Sequence, residues 1–305
     1  MGDSPMKSAA IPSSAPATAR KSWAGDISEL VKTRLTLLVL FTTLAGFYMG
    51  STSPMNGILL LHTLVGTGLV AASASALNQV LEREHDRRMA RTADRPLAAR
   101  RRHPDGVLIV ATVVGIGGFV YLALLVNLLS SALAAATLAS YVFLYTPLKR
   151  VTSLNTLVGA IPGALPPVIG YAAVRDQIGT GAIVLFAIMF FWQLPHFLAI
   201  AWMYRDEYRG AGFKMMSADD PGGVQTSRQA LLTSAALLPI ALLPTLLGLD
   251  GRVYFVGAFV LGLYLCWQAW RFQVKRDDAS ARRLFLASIL YLPLLLALMA
   301  YDAVR

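Results

Sequence analysis

Residues 77–106 read LNQVLEREHDRRMARTADRPLAARRRHPDG, and they follow directly on an apolar run ending at Leu77. Lipid does not tolerate that density of acids and arginines, so the chain leaves a membrane here. The rest of the sequence agrees. Its 305 residues are 56% hydrophobic and 14% charged, with a mean hydropathy of +0.57. Crossing hydrocarbon takes about 20 apolar residues, and such runs occur near 35–51, 57–77, 107–126, 129–147, 155–174, 180–202, 230–248, 252–270 and 284–303. Open strands would leave backbone groups unpaired in lipid, and unbroken runs lack the alternation of a barrel. The expected fold is therefore all-α, a polytopic membrane bundle of nine transmembrane helices.

On that reading 24 of the 27 Lys and Arg residues fall on the side of the N-terminus, leaving only Arg175, Arg252 and Arg305 opposite. The positive-inside bias then places the N-terminus in the cytoplasm. The net charge of +10 is accounted for by topology and the lipid bilayer, without nucleic acid. A lone cysteine, Cys266, inside an apolar run excludes a disulfide framework and a CxxC metal site. Residues 1–25, rich in Ser, Ala and Pro, read as a disordered cytoplasmic tail, and 26–305 as a single domain. Two polar loops, 78–106 and 203–229, each begin as a helix leaving the membrane and continue into an arginine-containing segment. They suggest two pseudo-repeats that share one cavity.

Asn78, Glu82 and Asp86 are spaced i, i+4, i+8, which keeps all three on one helical face. Such a row of oxygens suits Mg²⁺, which binds through one or two carboxylates plus substrate phosphates. Arg87, Arg91 and Arg95 continue at the same interval, and Arg matches phosphate oxygens. Arg91 and Arg95 are thus diphosphate candidates. Glu84, Arg83, Arg88 and most of the run at 100–103 read as solvated surface charge or topology signal. In the second loop Tyr204 and Tyr208 are also i, i+4, with Asp206 and Glu207 between them. Upstream, Pro195 interrupts a span beside His196, and histidine is a standard axial ligand of haem iron. Lys149 and Arg150 admit two readings, contact with diphosphate or propionate and topology anchoring.

The segment NQVLEREHDRRMARTADRPL resembles the first signature of the UbiA-type intramembrane prenyltransferases, whose pattern Asn-x3-Asp/Glu-x3-Asp is met by Asn78, Glu82 and Asp86. RTADRPL at 91–97, YTPLKRVTSLNTLVGAIPGALPPVIGY at 145–171, WQLPHFLAIAW at 192–202 and YRDEYRGAGFKMM at 204–216 are similar to the haem-prenylating branch. The likeness runs from residue 26 to 300. It implies transfer of the farnesyl group of farnesyl diphosphate to a vinyl group of protohaem IX, with Mg²⁺ as cofactor, in a bacterial inner membrane with the active site facing the cytoplasm. A haem A-forming enzyme or an oxidase assembly factor would be the downstream partner.

By that resemblance Asn78, Glu82 and Asp86 are metal ligands, joined by Asp206 and Glu207 from the second motif. Arg91, Arg95 and Lys149 bind diphosphate, Tyr204 and Tyr208 face the allylic cation, and His196 contacts haem. The chain departs from many members in having Tyr204 and Tyr208 where they place aspartates. Two other readings compete: prenylation of an aromatic or quinone precursor, and an ion-coupled transporter. A transporter should spread its acids through the middle of several spans. Here they gather at two loops on one side.

Overall fold

The structure is a computed structural model, and it describes residues 22–51 and 54–304. Among the described residues, nine helices are long and apolar enough to cross a membrane. A short helix α1 (Trp23–Leu30) leads into α2 (Thr33–Gly50), α3 (Gly57–Asp86) and α4 (Pro104–Leu125). The fourth span is composite: α5 (Leu128–Ala139) passes through a π-helical turn (Ser140–Tyr145) into α6 (Thr146–Leu148). Next come α7 (Asn155–Arg175), α8 (Thr180–Met203), the short α9 (Arg205–Gly210), α10 (Val224–Leu246), α11 (Arg252–Lys275) and α12 (Asp278–Asp302).

Local chemistry sets these boundaries. Asn56 caps α3 by accepting from the amides of Ile58 and Leu59, and Asn127 and Asp277 do the same for α5 and α12 through Ser130 and Ser280. Pro104 opens α4, where its missing N–H is not needed. Lys32, with φ at 47°, turns the chain sharply between α1 and α2. Positive φ is costly for a side chain of this kind and marks a position held by its surroundings.

Several spans run further into water than apolar composition indicates. α3 continues to Asp86 rather than ending at Leu77, α10 starts at Val224 rather than 230, and α12 starts at Asp278 rather than 284. Helix hydrogen bonding does not stop at the lipid boundary. At about 1.5 Å per residue, the thirty residues of α3 exceed the hydrocarbon thickness of roughly 30 Å, so its last turns carry their polar row beyond the apolar run. At the other end of the sequence, Trp23 to Gly25 belong to α1 rather than to a tail, because the Ser22 side chain accepts from the Gly25 amide. Residues 1–21 of the expected tail lie outside the described residues.

The largest core cluster joins α8, α10, α11 and α12, including fully buried Tyr254, Phe272, Leu284 and Leu292. A second joins α3, α4, α5 and α7 around Leu122, Val142 and Ile169. Between them α2 and α7 meet backbone to backbone. A Cβ at Gly46 would overlap the carbonyl of Pro167, and one at Gly170 that of Thr43. Small residues of this kind let membrane helices approach closely. Large exposed side chains such as Ile109, Val113, Leu124 and Trp270 point outward, as lipid-facing positions do.

Candidate active site

The row on α3 is buried: Asn78, Glu82 and Asp86 are each no more than 4% exposed. A charge removed from water needs a partner, and each member of the row has a cation against it. Lys32 Nζ donates to Asn78 Oδ1 at 2.7 Å, and Lys149 Nζ donates to Glu82 Oε1 at 2.7 Å. Arg95 Nη1 reaches both oxygens of Asp86 at 2.9 and 2.8 Å. Asn78 also donates through Nδ2 to Thr146 Oγ1 at 3.1 Å, which fixes its amide with the oxygen toward Lys32. Thr146 spends its own proton on the Tyr141 carbonyl.

Three distant segments deliver these cations. The positive-φ turn at Lys32 sends its amine inward. Burial, with Arg95 and Lys149 close by, pushes that amine down to about 7 against the pull of Glu82 and Asp86. Lys149 follows the π-helical turn, and Tyr141, Tyr145 and Lys149 are again spaced i, i+4, i+8. Lys149 Nζ lies 4.5 Å from the Tyr145 ring centre, and Lys32 Nζ 3.4 Å from the Tyr141 hydroxyl. Burial disfavours charge on Lys149, but Glu82 and the two tyrosines outweigh it and hold the amine above its ordinary range. Gly159 of α7 makes room for the Tyr145 ring, since a Cβ there would stand 2.5 Å from it.

The loop after α3 does not continue as a helix, so Arg87, Arg91 and Arg95 do not form the stripe their spacing suggests. Arg87 turns back to Glu84 and the Ala98 carbonyl. Arg95 returns to Asp86. Arg91 crosses to the second loop, where its guanidinium sits 5.2 Å from the Tyr204 ring and 6.0 Å from the Tyr208 ring. Its backbone N–H donates to Glu207 Oε2 at 3.2 Å. Asp206 is exposed and pairs with Arg209. Neither Asp206 nor Glu207 is hydrogen-bonded or ion-paired to the α3 row.

Other polar residues in these loops are structural. Arg101 and Arg102 both hold Asp26 on α1, and these bonds outweigh burial in keeping that carboxyl below its usual range. Asp220 accepts from the amide and hydroxyl of Thr226 at the start of α10. The amide of Lys214 donates to the Lys149 carbonyl and its carbonyl accepts from Asn155, which joins the second loop to α6 and α7.

His196 lies inside α8, about two turns or 10 Å from its Met203 end. It stacks on Trp192 and touches Phe285 of α12, with Nδ1 2.8 Å from Ser288 Oγ. None of these contacts is with the α3 row. The row therefore gathers Lys32, Arg95, Lys149, Tyr141, Tyr145 and Thr146, while Arg91, Tyr204, Tyr208 and Glu207 form a neighbouring loop contact and His196 a separate contact between α8 and α12. Sequence reading counted Lys32 only as a topology charge and left out Tyr141, Tyr145 and Thr146. The repeated four-residue spacing of YVFLYTPLK was the available signal.

The donor set suits a divalent cation, because two carboxylates and an amide oxygen line one face and already hold positive side chains. Among the described residues no three His, Cys, Asp or Glu side chains converge on a common point. Such a row completes an Mg²⁺ shell only with outside oxygens, as phosphate-dependent sites do.

The bundle thus buries the Asn78–Glu82–Asp86 row at the loop end of α3, with Lys32, Lys149 and Arg95 against it. The UbiA prenyltransferase family model matches residues 39–292, and the chain belongs to that family. It is 46% identical over 286 residues to a protein from Solibacter usitatus named protoheme IX farnesyltransferase, covering 91% of this chain and 98% of that one. A protein of the same name from Koribacter versatilis is 43% identical, covering 97% and 99%. Among solved structures, a digeranylgeranylglyceryl phosphate synthase superimposes with a TM-score of 0.76 at 13% identity, over 91% of this chain and 97% of that one. A UbiA homologue from Archaeoglobus fulgidus, bound to DMAPP and Mg²⁺, gives 0.65 at 14% identity, over 90% and 99%. At these identities the structures bear on the fold alone.

Proposed function

We propose that this protein transfers the farnesyl group of farnesyl diphosphate to a vinyl group of protohaem IX. A bond forms between the farnesyl C1 and the terminal vinyl carbon, the C1–O bond breaks, and diphosphate leaves with the electron pair. Water adds to the cation left on the ring-side vinyl carbon, giving the hydroxyl of the hydroxyethylfarnesyl side chain, and the proton it gives up leaves with the diphosphate. The observation that carries the diphosphate half is the buried Asn78–Glu82–Asp86 row with Lys32, Lys149 and Arg95 against it. The haem half rests on relatives above 40% identity over nine-tenths of the chain that bear this activity in their names.

Asn78, Glu82 and Asp86 would hold Mg²⁺, which when bound neutralises diphosphate oxygens and eases their departure. Lys32, Lys149 and Arg95 then exchange their carboxylate or amide partners for those oxygens, with Arg91 at the mouth. Charge building on the leaving group is met by cations already in place. The faces of Tyr141, Tyr145, Tyr204 and Tyr208 suit an allylic cation, and the surrounding helices keep water away from it. The active end lies at the cytoplasmic face of the inner membrane, where most basic residues gather. Release to a haem A-forming enzyme or oxidase assembly factor would follow.

The test is incubation of the purified protein with haem, farnesyl diphosphate and Mg²⁺, then mass analysis of the porphyrin. The expected product carries one farnesyl and one hydroxyl group more than the haem supplied. Unmodified haem beside a prenylated aromatic acid in a competition mixture would transfer the assignment to the aromatic acceptor.

A further inference from the structure

The His196 ring is anchored through Ser288. Ser288 Oγ donates to the Phe285 carbonyl at 2.7 Å, and the same oxygen lies 2.8 Å from His196 Nδ1. A serine hydroxyl has one hydrogen, and a carbonyl can only accept. Both contacts are made at once only when Ser288 donates to the carbonyl and its oxygen accepts from His196 Nδ1–H. A neutral imidazole has one N–H, so Nε2 is left with the lone pair. That nitrogen has no hydrogen-bond partner and is absent from the buried polar atoms that lack one, whereas Ser288 is fully buried. The Nε2 edge is thus unpaired and not fully enclosed.

Trp192 Nε1 donates to the Ser288 carbonyl at 2.8 Å, and the Trp192 ring stacks on His196 at 5.3 Å and 23°. Phe285 at 5.0 Å and Phe197 at 5.7 Å complete an aromatic surround. A metal-binding histidine ordinarily donates its other N–H to a fixed partner, and Ser288 is placed to be one.

We propose that Ser288 is a positioning residue that holds His196 as the Nδ1–H tautomer, so that Nε2 ligates the iron of the porphyrin substrate. This rests on the haem reading above and adds to it the ligating atom and the residue that orients it.

The test is titration of the full-length protein in detergent with ferric haem, followed by the Soret band and electron paramagnetic resonance. The wild type should give a nitrogen-ligated spectrum. His196→Gly should lose it, and added imidazole should restore it. Ser288→Ala should weaken haem binding about ten- to a hundredfold and shift the spectrum. In the His196→Gly/Ser288→Ala double variant, imidazole should restore the same spectrum as in His196→Gly alone, because a free ligand needs no Ser288. A wild-type spectrum in His196→Gly, or an unchanged titration in Ser288→Ala, overturns the proposal while the haem reading stands. Persistence of the Ser288→Ala defect in the imidazole-rescued double variant overturns it too, since Ser288 would then act only in packing. A wild-type protein that binds farnesyl diphosphate but no haem removes the haem reading itself.

Discussion

Asp86 and Asp250 are both buried, at 1% and 2% exposure, and they differ in what faces each carboxylate. Asp86 is held by Arg95 at the loop end of the bundle, beside the Glu82–Lys149 pair. Asp250 lies at the opposite end, between α10 and α11, and neither of its oxygens has a hydrogen-bond partner. Burial and the nearby Asp302 push its carboxyl up to about 7. Asp302 in turn accepts from the Tyr254 amide, and a bridge joins Asp250 to Ala303. A buried acid that meets cations keeps oxygens it can hand to a metal or substrate. One that meets another acid is held toward its protonated form, and its bridge to Ala303 is made by backbone alone.

Substitutions can break this contrast, the largest effect coming first. Asp86→Asn should cut farnesyl transfer by at least about a hundredfold, the scale of losing a group that stabilises developing charge, with the protein still inserted and folded but melting lower, because Arg95 loses its buried carboxylate partner. Lys149→Gln should raise KM for farnesyl diphosphate about tenfold, the worth of one hydrogen bond to a charged group, as read from steady-state kinetics. Arg91→Ala should lower kcat/KM by about two- to fivefold, since an exposed cation–π contact contributes about 0.5–1 kcal/mol.

Asp250→Asn should leave activity within assay error and act on stability alone. The folded pKa of Asp250 is raised above its unfolded value of 3.8, so its contribution is complete below pH 3.8 and is lost as pH rises through about 7. The amide cannot ionise. The variant should therefore melt a few degrees above the wild type at pH 8, as about 1 kcal/mol shifts Tm by roughly 2–4 °C at comparable sizes, with the gain shrinking by pH 5.

Most of the fold was legible because a span announces itself through length and hydropathy alone. The α3 row was legible for the same local reason, as i, i+4, i+8 on a helix needs no tertiary knowledge. Lys32 was not. Its role depends on a positive-φ turn and a partner 46 positions away, and in the sequence it is one more basic residue beside a membrane. Tyr141 and Tyr145 lay hidden in an apolar run whose π-helical turn shifts the register. Arg91 shows the opposite failure. Its four-residue spacing from Arg87 and Arg95 promised a stripe with them, but the helix ends and the side chain crosses to Tyr204. The haem assignment drew on family resemblance, while the anchoring of His196 by Ser288 joins residues 92 positions apart.

The most direct test of the account places Asp86→Asn and Asp250→Asn side by side in one assay of diphosphate release and farnesylated haem mass. The account predicts loss of both products in Asp86→Asn and wild-type yields in Asp250→Asn. Equal yields from the two variants would contradict it.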